Sequence, residues 1–582
     1  MSSSNLPLEK ILSQQLAPLQ QQLTELFIKY PIVESRQKKF EDEMKKLFYH
    51  SFILPIPNTL KERSLYEQKL IQSIRNQLKQ NQLILRRTAD NNNTYYLGQS
   101  NDFRFKSNEF MHTTETFECL GFIDDQNTLE QHLNRITQSM DTILNDLFKQ
   151  KSISEDHLIK LSMSQRTNIK LPYLYFLPEI NEDNSILLEP KLSCCKNAPV
   201  QILAAYLEQI LQPLYEQVVQ SILFHNGTDF MKKLQSHCCY KTVFKPTTSF
   251  ITFEIHHLYS NVSHEDLRLS IKRLLTDPII RQPDYNGLSA DVIEILVNMF
   301  LQTNIFIYND KIYRYLKGCP LNFSFSRLLF NIYSYHWYFT WFRSIRIENE
   351  CFGLFKNTGF FTWNQSIDKI EKVFNEINQT YNSPIHITTS IGLQVHYLNC
   401  YIENRNGSLY SRVYYNPNKQ RFLLPYFDDH PRLRHRQWFR FLLVRAGLYC
   451  TQVEDFEYEK LYIELTFIAN GYSLNFVEYH NRQFFKLIYP SNTTTTEFDQ
   501  YRYNVFRHDL SRYVTRQQEL QKNHRLIQFD YIFDWGLRWK FNSGFYTNWI
   551  KLLEQDPKFK RYKLKIQLNS KHYYLSNTLL TQ

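Results

Sequence analysis

The stretch that decides the fold lies in the middle of the chain. It reads QILAAYLEQILQPLYEQVVQSILF at 201–224, FITFEI at 250–255 and NIFIYNDKIYRYL at 304–316. The first segment has the apolar periodicity of a helix, and the second has the composition of a strand. In the third segment, the pair Asn309-Asp310 suits a tight turn between two strands. Strands set among helices in this way predict an α+β protein.

Toward the N-terminus the pattern becomes helical. In LEKILSQQLAPLQQQLTELFIKY, the apolar residues Leu8, Ile11, Leu12 and Leu16 are spaced for one stripe. Because no strict heptad continues, ordinary helix packing explains this stripe better than a self-associating coiled coil. Residues 1–82 therefore predict a helical N-terminal lobe.

Mixed patterns flank the central stretch. The triplet Asn91–Asn93 indicates a turn, TYYLG and LPYLYFLPEI are strand-like, and Gln131–Lys149 has a helical period. Further along the chain, the pair Asn406-Gly407 predicts a hairpin turn. The segment SNTTTTEF at 491–498 indicates a loop or a boundary.

The composition limits the classes of protein. With 582 residues, of which 43% are hydrophobic and only 13 are Gly, the chain is long enough for several lobes and lacks Gly-rich phosphate loops. The formal net charge of +11 is compatible with a polyanionic partner without requiring one. Nine cysteines without a C-x-x-C motif argue against a zinc module. Because no signal peptide or long apolar run is visible, we expect an intracellular protein without a membrane partner, in either the nucleus or the cytoplasm.

Several segments occur in an order that a known family shares. They are Ala89-Asp90-Asn91, YLYFLPEI at 173–180, Glu189-Pro190-Lys191, NAPVQILAAYLEQILQPLYE at 197–216, Phe253–Tyr259, Gly318–Phe323 with Asn331-Ile332-Tyr333, Phe352–Asn364, HYLNCYIENRNGSLYSRVYYNP at 396–417, and the block from His430-Pro431 to Asn470-Gly471-Tyr472. Together they resemble the landmarks of reverse transcriptases from Penelope-like and related animal retroelements. The resemblance runs from about Arg86 to the C-terminus. Its last block is similar to the helix-turn-helix-like unit that follows the palm in that family.

The resemblance implies a right-hand polymerase-like fold with fingers, a palm and a helical thumb-like unit. The expected domains are 1–82 for the helical N-terminal lobe, 83–200 for fingers, 201–395 for the palm, 396–429 for a hairpin after the palm, 430–490 for the helix-turn-helix-like or thumb unit, and 499–582 for a C-terminal lobe.

The positions that resemble catalytic motifs have lost their aspartates. Glu254 stands where motif A of the family has an aspartate, and Asn357-Thr358 stand at the two aspartates of motif C. Nucleotide addition needs two divalent cations held by acidic side chains. Because neutral oxygens do not offset that charge, we expect an inactive relative without a metal site. Mg²⁺ enters only under an alternative, an active RNA-directed DNA polymerase that uses Glu254 and unconventional ligands.

A second candidate for motif C is Tyr426-Phe427-Asp428-Asp429, which matches Y-x-D-D letter for letter. The catalytic pair of the family sits on a hairpin between apolar strands. Here Asp429 is followed by His430-Pro431 and a helical pattern, which suits a helix N-cap. We therefore favour the N-cap interpretation.

The strongest candidate for nucleic-acid binding is RLRHRQWFRFLLVR at 432–445. Its candidate contact residues are Arg432, Arg434, Arg436, Trp438, Arg440 and Arg445. Arginines bind phosphates, and aromatic rings stack on bases. An amphipathic helix with aromatic residues in a core is an equal alternative, and the position resembling a thumb favours binding. A second basic stretch, KFKRYKLKIQLNSKHYY from Lys558, is better explained as a solvated sheet edge.

These observations predict a retroelement-derived, reverse-transcriptase-like protein that is catalytically inactive and binds RNA or DNA. No small-molecule substrate is expected. Two alternatives stay open: the active polymerase, and a structural or interaction protein without nucleic-acid contact. The partners of the N-terminal helices and the oligomeric state also stay open.

Overall fold

Helices and strands alternate along the chain, as predicted for an α+β protein. The computed structural model describes residues 8–53, 58–89, 95–113, 115–123, 126–163, 169–180, 186–193, 198–240, 243–256, 261–280, 285–320, 322–342, 350–379, 386–417, 432–488, 499–523, 525–532 and 538–571. The chain divides into two compact units. The first combines residues 1–85, 422–448 and 452–582, and the second combines 86–421 with 449–451. The six domain ranges expected from the sequence stay predictions.

The helices are named in chain order. They are α1 (Leu8–Lys29), α2 (Glu34–Ile53), α3 (Asn58–Gln80), α4 (Ser100–Thr113), α5 (Gln126–Lys149), α6 (Glu155–Leu161), α7 (Gln201–Val219), α8 (Gly227–Cys238), α9 (His264–Leu275), α10 (Ala290–Gln302), α11 (Ser324–Phe342), α12 (Ile367–Gln379), α13 (Arg432–Tyr449), α14 (Val453–Ala469), α15 (Leu474–Ile488), α16 (Gln500–Asn523), α17 (Arg538–Asn548) and α18 (Pro557–Lys560), with a π-helical segment at Trp549–Glu554. None of these described helices is both long enough and apolar enough to cross a bilayer.

The strands form several small sheets. They are β1 (Leu83–Arg87), β2 (Tyr95–Gln99), β3 (Phe117–Phe122), β4 (Leu174–Ile180), β5 (Ile186–Leu192), β6 (Ser249–His256), β7 (Ile305–Tyr308), β8 (Lys311–Tyr315), β9 (Phe352–Phe355), β10 (Thr358–Trp363), β11 (His386–Gly392), β12 (Gln394–Tyr397), β13 (Cys400–Arg405), β14 (Ser408–Val413), β15 (Arg525–Ile532) and β16 (Leu564–Lys571).

The second unit is built around a four-stranded antiparallel sheet. Its strand order is β11-β6-β10-β9, so β6 is paired on both sides. The predicted strand FITFEI lies within β6, where Phe250, Ile251 and Phe253 are buried and Glu254 is exposed. A strand so apolar is expected to be covered on both faces. The sequence therefore placed this central strand correctly.

Two predicted hairpins of the second unit are confirmed. Strands β7 and β8 pair through a turn in which Asn309 and Asp310 have φ values of 45° and 58°. Strands β13 and β14 pair through Asn406 and Gly407, with φ values of 52° and 82°. Two consecutive positive φ values are what the commonest tight hairpin turn requires, and Asn, Asp and Gly adopt them at low cost.

Helix α7 confirms the predicted apolar helix. Its buried residues include Leu203, Leu207, Ile210 and Leu214, which recur every three or four positions along one side. This side packs against α11 and α10 of the same unit. The strand-like segments TYYLG and LPYLYFLPEI form β2 and β4, and the helical pattern at Gln131–Lys149 forms most of α5.

In the first unit, the N-terminal helices and the C-terminal strands share one core. Leu19 of α1 and Phe40 of α2 belong to the same buried cluster as Phe529 of β15 and Trp549. Leu16 of the predicted stripe is also buried there, so ordinary packing of α1 is confirmed. The second basic stretch supplies β16, which pairs in parallel with β15 in a two-stranded sheet and is an edge strand, as predicted.

Three predictions fall outside the described residues. They are the turn at Asn91–Asn93, the N-cap interpretation of Asp428-Asp429, and the loop at 491–498.

Candidate functional site

Strands β9 and β10 form a hairpin whose turn carries Asn357. Strand β10 then pairs with β6 in a register that sets Thr358 opposite Glu254. The sequence placed Glu254 in one motif and Asn357-Thr358 in another, about a hundred residues away. The structure brings all three together at one end of the two inner strands of the central sheet.

The side-chain amide of Asn357 is hydrogen-bonded to the carboxylate of Glu254. Its Nδ2 donates to Glu254 Oε1 at 3.2 Å and to the carbonyl oxygen of Ile255 at 3.2 Å. The carbonyl oxygen of Asn357 accepts from the Ile255 amide at 2.8 Å. An ionised aspartate in this position has no proton to donate and would bring a second negative charge close to Glu254. The asparagine therefore donates to one oxygen of the carboxylate, which an ionised aspartate could not do.

The hydroxyl of Thr358 is also engaged within the hairpin and its neighbours. Its Oγ1 lies 2.9 Å from the carbonyl oxygen of Phe355 and 3.3 Å from the hydroxyl of Tyr397. Burial raises the pKa of Tyr397 well above its usual range, so this phenol stays neutral. Tyr397 belongs to β12 and was not singled out in the sequence, because only the tertiary structure brings β12 beside the hairpin.

A cavity of about 320 Å³ opens beside this site. It is lined by Thr252, Phe253, Glu254, Thr358, Thr388, Thr389, Ser390, His396, Tyr397 and Leu398. Burial, and then the charge of Arg412, lower the pKa of His396, so its ring is neutral near pH 7. The lining is thus rich in hydroxyl groups, and Glu254 is its one carboxylate. Among the residues that the structure describes, no group of three or more His, Cys, Asp or Glu is arranged to hold a metal ion.

Glu189, which lies in the range 83–200 that the resemblance assigned to fingers, is on β5 and has a cationic neighbour. Its Oε1 accepts from Lys191 Nζ at 2.6 Å. The pair is partly exposed, so its contribution to stability is small. Lys191 therefore balances the negative charge of Glu189.

Helices α13, α14 and α15 form a compact three-helix unit, which we call the helix-turn-helix unit. Short turns join them, and Gly471 in the second turn has a φ of 87°. Phe439 of α13 meets Phe467 of α14 with ring centroids 4.9 Å apart. His435 Nδ1 and the Tyr472 hydroxyl lie 2.5 Å apart within the same core.

The arginines of α13 whose side chains the structure describes differ in exposure. Arg436 is exposed, and its charge, after burial, helps to lower the pKa of His480 on α15. Arg440 is half-buried and donates a hydrogen bond to the hydroxyl of Tyr513 on α16, with its guanidinium 5.1 Å from the centre of that ring. Arg432 and Arg434 lie in the first turn of the helix.

Arg445 is internal. Its side chain is 13% exposed, and its Nη2 lies 3.8 Å from Oε1 of Glu459, whose side chain is 7% exposed. A phosphate would have to displace this ion pair, so Arg445 is placed to hold α13 against α14. The sequence named Arg445 as a contact residue because its partner on the next helix could not be seen.

The aromatic residues of α13 also separate by depth. Phe439 is fully buried, whereas Phe441 is exposed. Trp438 is half-buried and stacks on Phe441, with centroids 5.9 Å apart and an interplanar angle of 29°. The described part of the helix therefore has a core face with Phe439 and an open face with Arg436 and Phe441.

Comparison with known proteins identifies the helix-turn-helix unit. Residues 422–482 match the family described as the animal helix-turn-helix domain, which confirms the helix-turn-helix-like unit predicted from the sequence. No curated protein matches the chain.

Solved structures with partial likeness include polymerases. Apo telomerase from Candida tropicalis is 9% identical over 86% of this chain and 90% of that chain, with a TM-score of 0.41. Telomerase from Candida albicans in complex with a fragment of telomeric RNA is 12% identical over 70% of this chain and 67% of that chain, with a TM-score of 0.37. The RNA-dependent RNA polymerase of a human picobirnavirus is 8% identical over 80% and 93%, with a TM-score of 0.38. These TM-scores are too low to establish a shared fold.

Proposed function

We propose that this chain is a reverse-transcriptase-like protein, related to Penelope-like retroelements, that binds RNA or DNA and does not extend a primer. One observation carries the proposal. Two segments assigned separately to motifs A and C meet in the structure, where Asn357 of the hairpin contacts Glu254 of β6 at 3.2 Å. The sequence resemblance requires motifs A and C to be adjacent in space. Two unrelated segments about a hundred residues apart would not be expected to meet.

The chemistry of the site supports the loss of activity. A palm has to gather several carboxylates around two divalent cations. Here Glu254 is bonded to a neutral amide, and the Thr358 hydroxyl is engaged with Phe355 and Tyr397. Neutral ligands compensate little of the charge of such ions. The hairpin is therefore suited to structural integrity rather than to phosphoryl transfer.

Helix α13 supports the binding part of the proposal. It contains five arginines and no acidic residue, and it belongs to the helix-turn-helix unit. Arg436 and Phe441 are exposed on it. Cations near phosphates and an accessible aromatic ring are the two elements of sequence-tolerant nucleic-acid binding.

Binding is tested by titrating fluorescent RNA and a primer-template hybrid with the full chain at graded salt. The affinity is expected to fall linearly with salt on a logarithmic scale, because bound phosphates release counterions. Replacing Arg434 and Arg436 by Ala is expected to flatten that dependence. Arg482→Ala is the matched control, since Arg482 is an exposed arginine of α15 paired with Glu478. Absence of binding at about 50 mM salt, where such contacts are strong, rejects the binding part.

Activity is tested by primer extension with nucleotides and Mg²⁺ or Mn²⁺. We expect no extension, and none from the variant with Asn357→Asp and Thr358→Asp, because catalytic groups that act as a unit are not recovered by restoring some members. Template-dependent incorporation abolished by Glu254→Gln would establish the active-polymerase alternative. Abolition by Asp428→Asn with Asp429→Asn would instead identify the literal Y-x-D-D as the catalytic pair.

A further inference from the structure

Helix α14 of the helix-turn-helix unit presents an apolar stripe to solvent. Tyr458, Leu461, Leu465 and Ile468 are 74%, 53%, 57% and 41% exposed. Their spacing of three, four and three residues places them on one side of the helix, opposite the buried Phe456, Ile463 and Phe467. With a rise of about 1.5 Å per residue, the stripe from Tyr458 to Ile468 is about 15 Å long. Four large apolar side chains aligned on an open helix face are typical of a protein-protein contact.

The charge of α14 excludes nucleic acid as the occupant of this stripe. The helix has five acidic residues and one lysine, a net formal charge of −4. Glu454 and Glu457 are exposed next to the stripe. Phosphates would be repelled here, in contrast to α13. The partner is therefore expected to be a basic helix with an apolar face.

Helix α3 of the same unit has these properties. Its sequence, NTLKERSLYEQKLIQSIRNQLKQ, contains five basic and two acidic residues, a net formal charge of +3. Tyr66, Leu70, Ile74 and Leu78 recur every four residues over about 18 Å, which matches the length of the α14 stripe. Tyr66 and Leu70 are exposed, and among the described residues of α3 none belongs to the buried core.

A helix of this composition needs a partner. Isolated helices are marginal in water, and most helices in proteins are stabilised by burying one face. The structure leaves both α3 and the α14 stripe uncovered within the described part of one chain. Their opposite charges favour each other, and like charges oppose pairing of α14 with α14 or of α3 with α3.

We propose that the chain dimerises through reciprocal contacts in which α3 of each copy covers the α14 stripe of the other. A two-fold axis makes the two contacts identical and closes the assembly at two copies. The rows spaced by four residues on α3 fit against the rows spaced by three and four on α14, as in common helix pairs. The dimer does not depend on nucleic acid, so it stands or falls separately from the function proposed above.

Sedimentation velocity of the full chain without nucleic acid tests the proposal over a wide concentration range. The chain is expected to shift from one copy to two as its concentration rises. Leu461→Glu with Leu465→Glu is expected to weaken dimerisation roughly ten-fold or more, because buried apolar anchors dominate such contacts. Leu474→Glu is the matched control, an exposed leucine of α15 outside the stripe. Circular dichroism confirms that each variant is folded.

Charge reversal identifies which helices meet. Glu454→Lys with Glu457→Lys on α14 is expected to weaken the dimer, as is Lys69→Glu with Lys79→Glu on α3. Mixing the two variants, or combining all four changes, is expected to restore it. If the α14 changes break the dimer and the α3 changes do not, the pairing is α14 with α14 and the proposal is wrong. A chain that stays a monomer at every concentration, or whose α3–α14 cross-links form only within one isotope-labelled copy, also overturns it.

Discussion

At the hairpin tip, Asn357 and Thr358 stand beside Glu254, whereas helix α13 carries five arginines and no acidic residue. The hairpin brings Asn357 and Thr358 beside Glu254 through backbone pairing, and Glu254 is the one carboxylate among these three residues. Helix α13 keeps its charge, but Arg445 and Arg440 are used within the unit. The comparison shows that the position of a site residue and its charge are set by different features. Backbone pairing sets the position, and the identity of the side chain sets the charge.

The largest effect on stability is expected from replacing Arg445, the internal arginine of α13. Arg445→Met removes the guanidinium that lies 3.8 Å from the buried Glu459, which is expected to cost about 3–5 kcal/mol of unfolding free energy. Changing both residues, Arg445→Met with Glu459→Leu, is expected to recover most of that loss. Urea unfolding measures both variants. A small loss in the single variant would contradict the structural role of Arg445.

A smaller effect is expected from placing two aspartates on the hairpin. Asn357→Asp with Thr358→Asp places new negative charge near the exposed Glu254, which is expected to cost about 1–2 kcal/mol. Mg²⁺ is expected to raise the melting temperature of this variant, because a cation bound to the folded state stabilises it. The unmodified chain serves as the control, and its melting temperature is expected to be insensitive to Mg²⁺. An equal rise in the melting temperature of both chains would show that the unmodified site already binds Mg²⁺.

The base of the same hairpin provides a prediction on pH. Glu350 accepts from the Asn364 amide at 3.0 Å and from the Thr362 hydroxyl at 2.5 Å. Burial raises its pKa above the ordinary 4.5, although these hydrogen bonds and Lys245 oppose the shift. A carboxyl with a raised folded-state pKa contributes stability below its unfolded pKa that is lost as pH rises through the folded value.

The stability of the unmodified chain is therefore expected to fall more steeply above pH 4.5 than that of Glu350→Gln. The difference between the two chains, measured by urea unfolding from acid to neutral pH, isolates this group. Glu371→Gln, at an exposed position of α12, is the control and is expected to follow the unmodified chain. Parallel curves for the unmodified chain and Glu350→Gln would contradict the raised pKa.

The smallest effect on stability is expected at the exposed arginine. Arg436→Ala is expected to change the unfolding free energy by less than about 0.5 kcal/mol, because surface positions tolerate substitution. The slope of log affinity against log salt concentration for nucleic-acid binding is expected to fall by about one, because one phosphate contact is lost. Unchanged slope with unchanged stability would remove Arg436 from the binding surface.

The local patterns of the chain predicted its elements well. FITFEI forms β6, the Asn309-Asp310 and Asn406-Gly407 pairs form their turns, and residues 201–219 form α7. Each of these depends on interactions between residues close in sequence, namely turn geometry and the period of apolar side chains. The helix-turn-helix unit was also predicted, because its motif lies within one continuous block.

The candidate site was predicted in part. The sequence named Glu254, Asn357 and Thr358, but it gave no indication that Tyr397 and His396 of β12 line the same cavity. It also assigned all the arginines of α13 one role. Arg445 and Arg440 differ from Arg436 because Glu459 and Tyr513, on two other helices, meet them.

The sequence by itself determined many of the elements and two of the turns, because these follow from residue identity and short-range periodicity. Only the tertiary structure decided that the amide of Asn357 donates a hydrogen bond to the carboxylate of Glu254. It also decided that the N-terminal helices share a core with β15 and β16. Both depend on residues separated by about a hundred positions or more. Such pairings are selected by burial, register and complementary hydrogen bonds across the whole fold, which no local pattern encodes.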